Sequence, residues 1–175
     1  MEKQKFEEIA KRHAIACHRM MFHKYDEDKD YEFHLTMVRE IAEFFKEYIP
    51  EEDRDTVFSA IYEHDTLEDC ELLCSESDLR KLTSYSIQLI VSAVTTGKGT
   101  RKQRFSDEYY KGIRKEKYAT FVKLCDRIAN VKQGLINGKP ILDMYKKEHK
   151  HFKEMLYVKQ EYEKMWDYLD FLISK

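Results

Sequence analysis

The chain holds little glycine and little proline, 5 Gly and 2 Pro in 175 residues. So few residues suited to tight turns argue for long helices. It has no excess of positive charge either. A formal net charge of −2 gives no global electrostatic drive toward nucleic acid. No apolar run approaches membrane-spanning length, and Met1 to Glu8 is polar and charged, so no signal peptide is expected. Cys17, Cys70, Cys74 and Cys125 make no convincing disulfide framework, and a thiol inside an apolar helical pattern acts as a small hydrophobe. Cys70 and Cys74 have no second pair at zinc spacing. Reduced thiols make the cytoplasm the expected compartment. Repeats, linkers and low-complexity segments are absent.

What is present reads as one all-α domain over residues 1–175, long enough for a sizeable core. Apolar residues at 42% and charged ones at 37% suit a soluble globular chain rather than a disordered one. Residues 3–22 carry a helical stripe of Phe6, Ile9, Ala10, His13, Ala14, Cys17 and Met21, with His18 off its centre. His13 reads as a hydrogen-bonded core or boundary residue. Residues 23–32 read as a polar loop; Asp26, Asp28 and Asp30 lack the following Gly and Glu of a calcium loop. A second helix spans 33–49, with His34, Val38, Ile41, Ala42 and Phe45 on one face, and a third runs from Pro50 to about Asp65. Residues 66–77 read as irregular, with Ser75 or Ser77 capping a fourth helix over 78–94 whose inward side is Leu79, Leu82, Ser86, Leu89, Ile90 and Ala93.

One or two helices follow over 106–131, with Gly112 as a weak point, then a loop over 132–140. The remaining residues are helical, with Phe152, Met155, Tyr162, Trp166, Leu169 and Ile173 closing the core and His149 and His151 at the surface.

The chemistry concentrates at Ala60 to Cys70. Val57, Ala60, Ile61 and His64 share a stripe, so His64 arrives at the end of a buried face, followed at once by Asp65. Glu68 and Asp69 lie one turn on. One imidazole and three carboxylates crowded together repel one another unless a cation or protons neutralise them. Downstream, Asp126 falls on the apolar side of Tyr118, Ala119, Val122, Cys125 and Ala129, where a carboxylate needs a partner, with Asn130 one turn further. A metal is the economical partner. Between these lies the stretch 95–104, with Lys98, Arg101, Lys102 and Arg104 and no acid. It is not a P-loop. It is either a solvated loop or a clamp for a polyanion.

His34, then His64-Asp65 with Glu68-Asp69, then Asp126 resembles the HD-domain metal phosphohydrolases, and more narrowly the alarmone hydrolases of the RelA/SpoT group, in their small single-domain form as in metazoa. Val122 to Asn130 is close to that family's Val-Lys-Leu-Ala-Asp-Arg-Leu-x-Asn, and Val94-Thr95 matches its Val-Thr before a basic stretch. Upstream, the family's Arg-Lys…Pro-Tyr-Ile-x-His-Pro is kept at Lys24, Tyr31 and His34, while His23, Asp30, Glu32 and Leu35 depart from it. The resemblance covers most of residues 10–131 and implies an HD-type helical bundle with one manganese ion on His34, His64, Asp65 and Asp126. It implies Glu68 and Asp69 as acid–base groups, and Lys24, Asn130, Lys98, Arg101 and Arg104 toward the substrate.

The implied reaction is removal of the 3′-pyrophosphate of (p)ppGpp. The altered segment at His23, Asp30 and Glu32 leaves open another substrate: ppApp, the 2′-phosphate of NADPH, or a nucleoside monophosphate. A non-catalytic HD module is a third reading. The expected partner is a small nucleotide, with no nucleic acid and no membrane; a homodimer stays open.

Overall fold

The computed structural model describes residues 5–138 and 140–175. Helix α1 (Glu7–Met20) has no side-chain cap of its own. Its first amides, those of Phe6 and Glu7, donate instead to the Asp55 carboxylate at 2.9 and 3.1 Å. Residues 3 and 4 of the expected helix lie outside the described residues. The stretch expected as a loop at 23–32 contains a small antiparallel hairpin, β1 (Lys24–Asp26) and β2 (Lys29–Asp30). Helix α2 (Glu32–Phe44) ends in a single 3-10 turn before α3 (Glu51–Glu63). The last turn expected over 45–49 is therefore not α-helical.

His64 sits just beyond α3 in helical geometry, and the chain then turns into α4 (Thr66–Asp69). So 66–69, expected to be irregular, is one helical turn. The single helix expected over 78–94 is two, α5 (Glu76–Leu82) and α6 (Tyr85–Val94). Ser75 and Asp78 close a capping box at the first, and Ser84 caps the second. That break resets the helical phase. Leu82 and Ser86, expected inward, face out, and Ile87, Val91 and Val94 are buried instead.

After a one-turn helix α7 (Arg101–Arg104), α8 (Asp107–Lys115) and α9 (Ala119–Asn137) divide at Tyr118, whose φ is +69°, not at Gly112. Helix α9 also runs through the expected loop at 132–137, because Gln133 and Gly134 are buried. It stops at Gly138, φ +60°, the left-handed conformation that glycine takes without steric cost. Helices α10 (Pro140–Leu156) and α11 (Glu163–Ile173) complete the chain. His149, expected at the surface, is largely covered and pairs with Asp170 at 2.6 Å, tying α10 to α11.

The core forms around α9. Phe121, Val122, Leu124, Cys125, Ile128, Ala129 and Val131 are all buried, covering nearly every side of the helix. A helix that is apolar all round must be sheathed by others, and α2, α6, α8, α10 and α11 pack against it. Helix α1 lies on α3, and Ala10 and Ala14 meet Leu35 and Tyr62 in a second small cluster. The four cysteines are free and buried. Among the described residues no helix is long and apolar enough to cross a membrane. Among the described residues the fold is all-α apart from the hairpin.

Candidate metal centre

Three packed helices bring four ligand-type side chains together. His34 enters from the first turn of α2, Asp126 from the middle of α9, and His64 and Asp65 from the junction of α3 and α4. His34 and His64 are each 2% exposed. Their Nε2 atoms face each other at 3.3 Å. Asp65 Oδ2 lies 2.9 Å from His64 Nε2 and 3.5 Å from His34 Nε2. Asp126 Oδ1 lies 3.4 Å from His34 Nε2 and 3.8 Å from His64 Nε2.

The atoms behind the ligands fix how they point. His64 Nδ1 donates to the Ile61 carbonyl at 2.8 Å, which turns Nε2 toward the centre. His34 Nδ1 is buried with no partner among the described residues, so Nε2 is its one engaged atom. Tyr31 donates its hydroxyl to Asp65. Asp126 receives Lys123 Nζ at 2.9 Å on one oxygen and Asn130 Nδ2 at 2.6 Å on the other. The partner that a buried Asp126 requires is thus supplied in part by Lys123, one turn back on the same helix. Asn130 in turn accepts from the Tyr25 hydroxyl at 3.3 Å.

This donor set fits a divalent ion. Two imidazoles and two carboxylates suit manganese, iron or zinc better than calcium. Donor atoms bound about 2.0–2.2 Å from one ion stand roughly 3.0–3.5 Å apart; His34, His64 and Asp65 form a mutually close set, and Asp126 Oδ1 stands 3.4 and 3.8 Å from the two imidazoles. Without an ion, protons do the neutralising. Burial opposes charging of His64, but Asp65 and Asp126 outweigh it and carry the imidazole up to about 10; His34 is raised for the same reason. Despite burial, His64 and His34 hold Asp65 well below the usual carboxylate range, and Lys123, with the same imidazoles, does so for Asp126.

No family model matches the chain, and no curated protein matches it in sequence. A solved structure does match. It is that of a metazoan ortholog of SpoT that hydrolyses ppGpp and plays a role in starvation responses, with a TM-score of 0.76 and 22% identity over 99% of this chain and 96% of that one. The two proteins share one fold.

Around the centre, the other singled-out residues fall into two groups. Glu68 and Asp69 flank it from α4. Thr96 holds one Glu68 oxygen through its amide at 3.0 Å and its hydroxyl at 2.7 Å, and the Arg104 guanidinium donates to the other. Burial, with the negative charges of Asp65 and Glu68, pushes the Asp69 carboxyl up to about 7.

The remaining cations have carboxylate partners of their own. Lys24 pairs with Asp30 across the hairpin at 2.6 Å, and Lys98 with Glu71 at 2.8 Å. Arg101 grips Glu148 through two nitrogens at 2.5 and 2.9 Å. It lines a cleft of about 580 Å³ with Phe105, Tyr110, Glu148 and His151, apart from the four ligand side chains.

Residues not singled out in the sequence also stand here. His18 is buried, and its ring and that of His23 each stack on Tyr31 with centroids 4.1 Å apart. Burial lowers His18 to about 4, so it is a neutral imidazole. Tyr25 stacks in parallel on His34, with centroids 5.2 Å apart. The i, i+3 spacing of Lys123 and Asp126 marks that pair in the sequence; no comparable signal marks His18.

Proposed function

We propose that this chain is a metal-dependent phosphohydrolase that removes the 3′-pyrophosphate from a ppGpp-type alarmone, giving GDP or GTP and pyrophosphate. The observation that carries the reading is the meeting of His34, His64, Asp65 and Asp126 at one point, in a fold shared with a ppGpp-hydrolysing protein. Those four residues would hold the ion, manganese in this reading. When bound it supplies the positive charge that acidifies a water and polarises the phosphorus.

The chain's own groups do the rest. The carbonyl of Ile61 and the hydroxyl of Tyr31 hold His64 and Asp65 in register. Asp69, with a carboxyl at about 7, is matched to taking the proton of the attacking water and returning one to the departing 3′ oxygen. A cation at the centre draws that value down and favours the base form before attack. As the water oxygen bonds to phosphorus, the bond from phosphorus to the 3′ oxygen breaks and that oxygen is protonated. Glu68 holds Arg104 beside the centre, where its guanidinium can meet developing phosphate charge. Lys98 and Arg101 would exchange Glu71 and Glu148 for the phosphates. Asn130 keeps Asp126 oriented.

One observation favours a second reading, the same hydrolysis on another nucleotide. Where the related motif has an arginine, His23 is stacked on Tyr31 and half-buried, so it offers no free guanidinium to a base. Purified protein with manganese would be given ppGpp, ppApp, NADPH and nucleoside monophosphates, with products followed by chromatography. Pyrophosphate released from ppGpp, and lost with Asp126→Ala together with metal binding, is expected. Orthophosphate from a different nucleotide would favour the second reading. No turnover with any divalent metal would overturn both and leave a non-catalytic HD module.

A further inference from the structure

We propose a second transition-metal site, built from His18, His23 and Asp69, beside the first and distinct from it. Its donor atoms converge without using any of the four ligands already described. His18 Nδ1 and His23 Nδ1 face each other at 3.0 Å. Asp69 Oδ2 lies 3.5 Å from the same His23 nitrogen. One ligand atom from each residue falls within 4.8 Å of the other two. The Cys70 sulfur is the next donor, 3.6 Å from His18 Nδ1. Two nitrogens held about 2.0–2.1 Å from a tetrahedral ion stand roughly 3.3 Å apart, and a nitrogen and a sulfur roughly 3.6 Å. Two imidazoles and a carboxylate select a late first-row divalent ion, of which zinc is the common case.

The local backbone is shaped to make this pair. At the end of α1 the His23 amide donates to the His18 carbonyl at 2.9 Å, and the Phe22 amide to the Arg19 carbonyl at 3.0 Å. These bonds form a Schellman motif, which sets the residue two past the cap against the one three before it. In most such motifs that contact is apolar; here it joins two histidines. The left-handed position, which normally takes glycine, is occupied by Phe22 at φ +54°, with its side chain 89% exposed. Tyr31 lies against both imidazoles, and its hydroxyl is tied to Asp65, so neither ring can swing without disturbing its neighbour. His18 Nε2 is buried with no partner among the described residues, leaving Nδ1 as the atom this imidazole uses. An ion here would fasten the end of α1 to the end of α4 and hold Asp69 as a ligand while bound.

The test is metal stoichiometry, which does not depend on which nucleotide is hydrolysed. Metal-stripped protein would be titrated with zinc by calorimetry, with bound metal counted by mass spectrometry and folding checked by circular dichroism. His23→Gln and Asp69→Asn are the informative variants, because both side chains are partly exposed and their loss leaves the core intact. Asp126→Asn reports on the first centre. Two equivalents of zinc in the wild type are expected, one lost in His23→Gln and in Asp69→Asn, the other lost in Asp126→Asn, and both lost when His23→Gln and Asp126→Asn are combined. A zinc count unmoved by His23→Gln would overturn the proposal. So would a wild type that binds a single equivalent, lost from all three variants, which would mean a single shared centre.

Discussion

Loading a divalent ion onto His34, His64, Asp65 and Asp126 should expel protons at neutral pH, and the geometry sets how many. In the metal-free protein Asp65 and Asp126 carry His64 up to about 10 against the opposing effect of burial. An imidazole raised that far above 6.5 is protonated at pH 7. A metal takes the lone pair that this proton occupies. Each ion bound at pH 7 therefore releases at least one proton, and two where His34 is charged as well, since it too is raised.

The sign for stability follows. A raised imidazole stabilises the metal-free fold fully below its ordinary value of 6.5, and that contribution is lost as pH rises toward 10. The loaded form has already given up those protons. The stabilisation conferred by metal should thus grow with pH between 7 and 9, by about 1.4 kcal/mol per pH unit for each proton expelled.

Calorimetric titration with manganese in buffers of different ionisation heat counts the protons, and paired melting curves with and without metal give the stability difference. His13 is carried up to about 12 by its hydrogen bonds to Cys17, Cys74 and Glu63, but it titrates alike in both forms and cancels in that difference. The Asp69→Asn variant removes the contribution of the one carboxyl that also titrates near neutrality. Binding with no proton released, or a metal effect that is flat from pH 7 to 9, would refute the assignment of these imidazoles as ligands.

Three other outcomes follow from contacts already described. Asp69→Asn should retain manganese at the first centre yet slow hydrolysis about 10²–10⁴-fold, with the limb of the pH–rate profile that reports its carboxyl removed; a full rate would take Asp69 out of the mechanism. Lys123→Met strands the Asp126 oxygen that Lys123 now holds, and should cost the metal-free protein about 3–5 kcal/mol, measured by urea unfolding, with much of the loss recovered on adding metal. Phe22→Gly relieves a left-handed backbone at an exposed position and should add about 1 kcal/mol, a rise of about 2–4 °C in Tm; a lower Tm would mean that the Phe22 ring makes a contact its exposure hides.

Much of the arrangement could be read from residue order because it rests on helical periodicity. His34, His64 and Asp126 each lie on an apolar stripe, and stripes face the core, so three polar groups placed on them were bound to approach one another. What the stripes did not disclose lies where periodicity breaks. A single helical phase does not carry through 78–94, because Thr83 ends one helix and Ser84 caps the next. The end of α9 is hidden in the sequence because Lys132 interrupts the apolar pattern while Gln133 and Gly134 stay buried. His18 and His23 could not be paired from sequence because the turn that joins them lacks the glycine that usually announces it. The basic stretch was legible as charge but not as partnership, since Glu148, which holds Arg101, is 47 residues away.

Helix α9 is both the spine of the molecule and the donor of Asp126 and Asn130. A scaffold rod that also carries working parts resists tinkering, because any slide or tilt that alters the chemistry dislodges every neighbour leaning on it. Novelty has to be recruited at the margins instead, in the hairpin at 24–30 and the charged stretch at 97–105. There side chains are held by exchangeable salt links, and sequence drift can retune what is grasped while the four converging ligand side chains stay put.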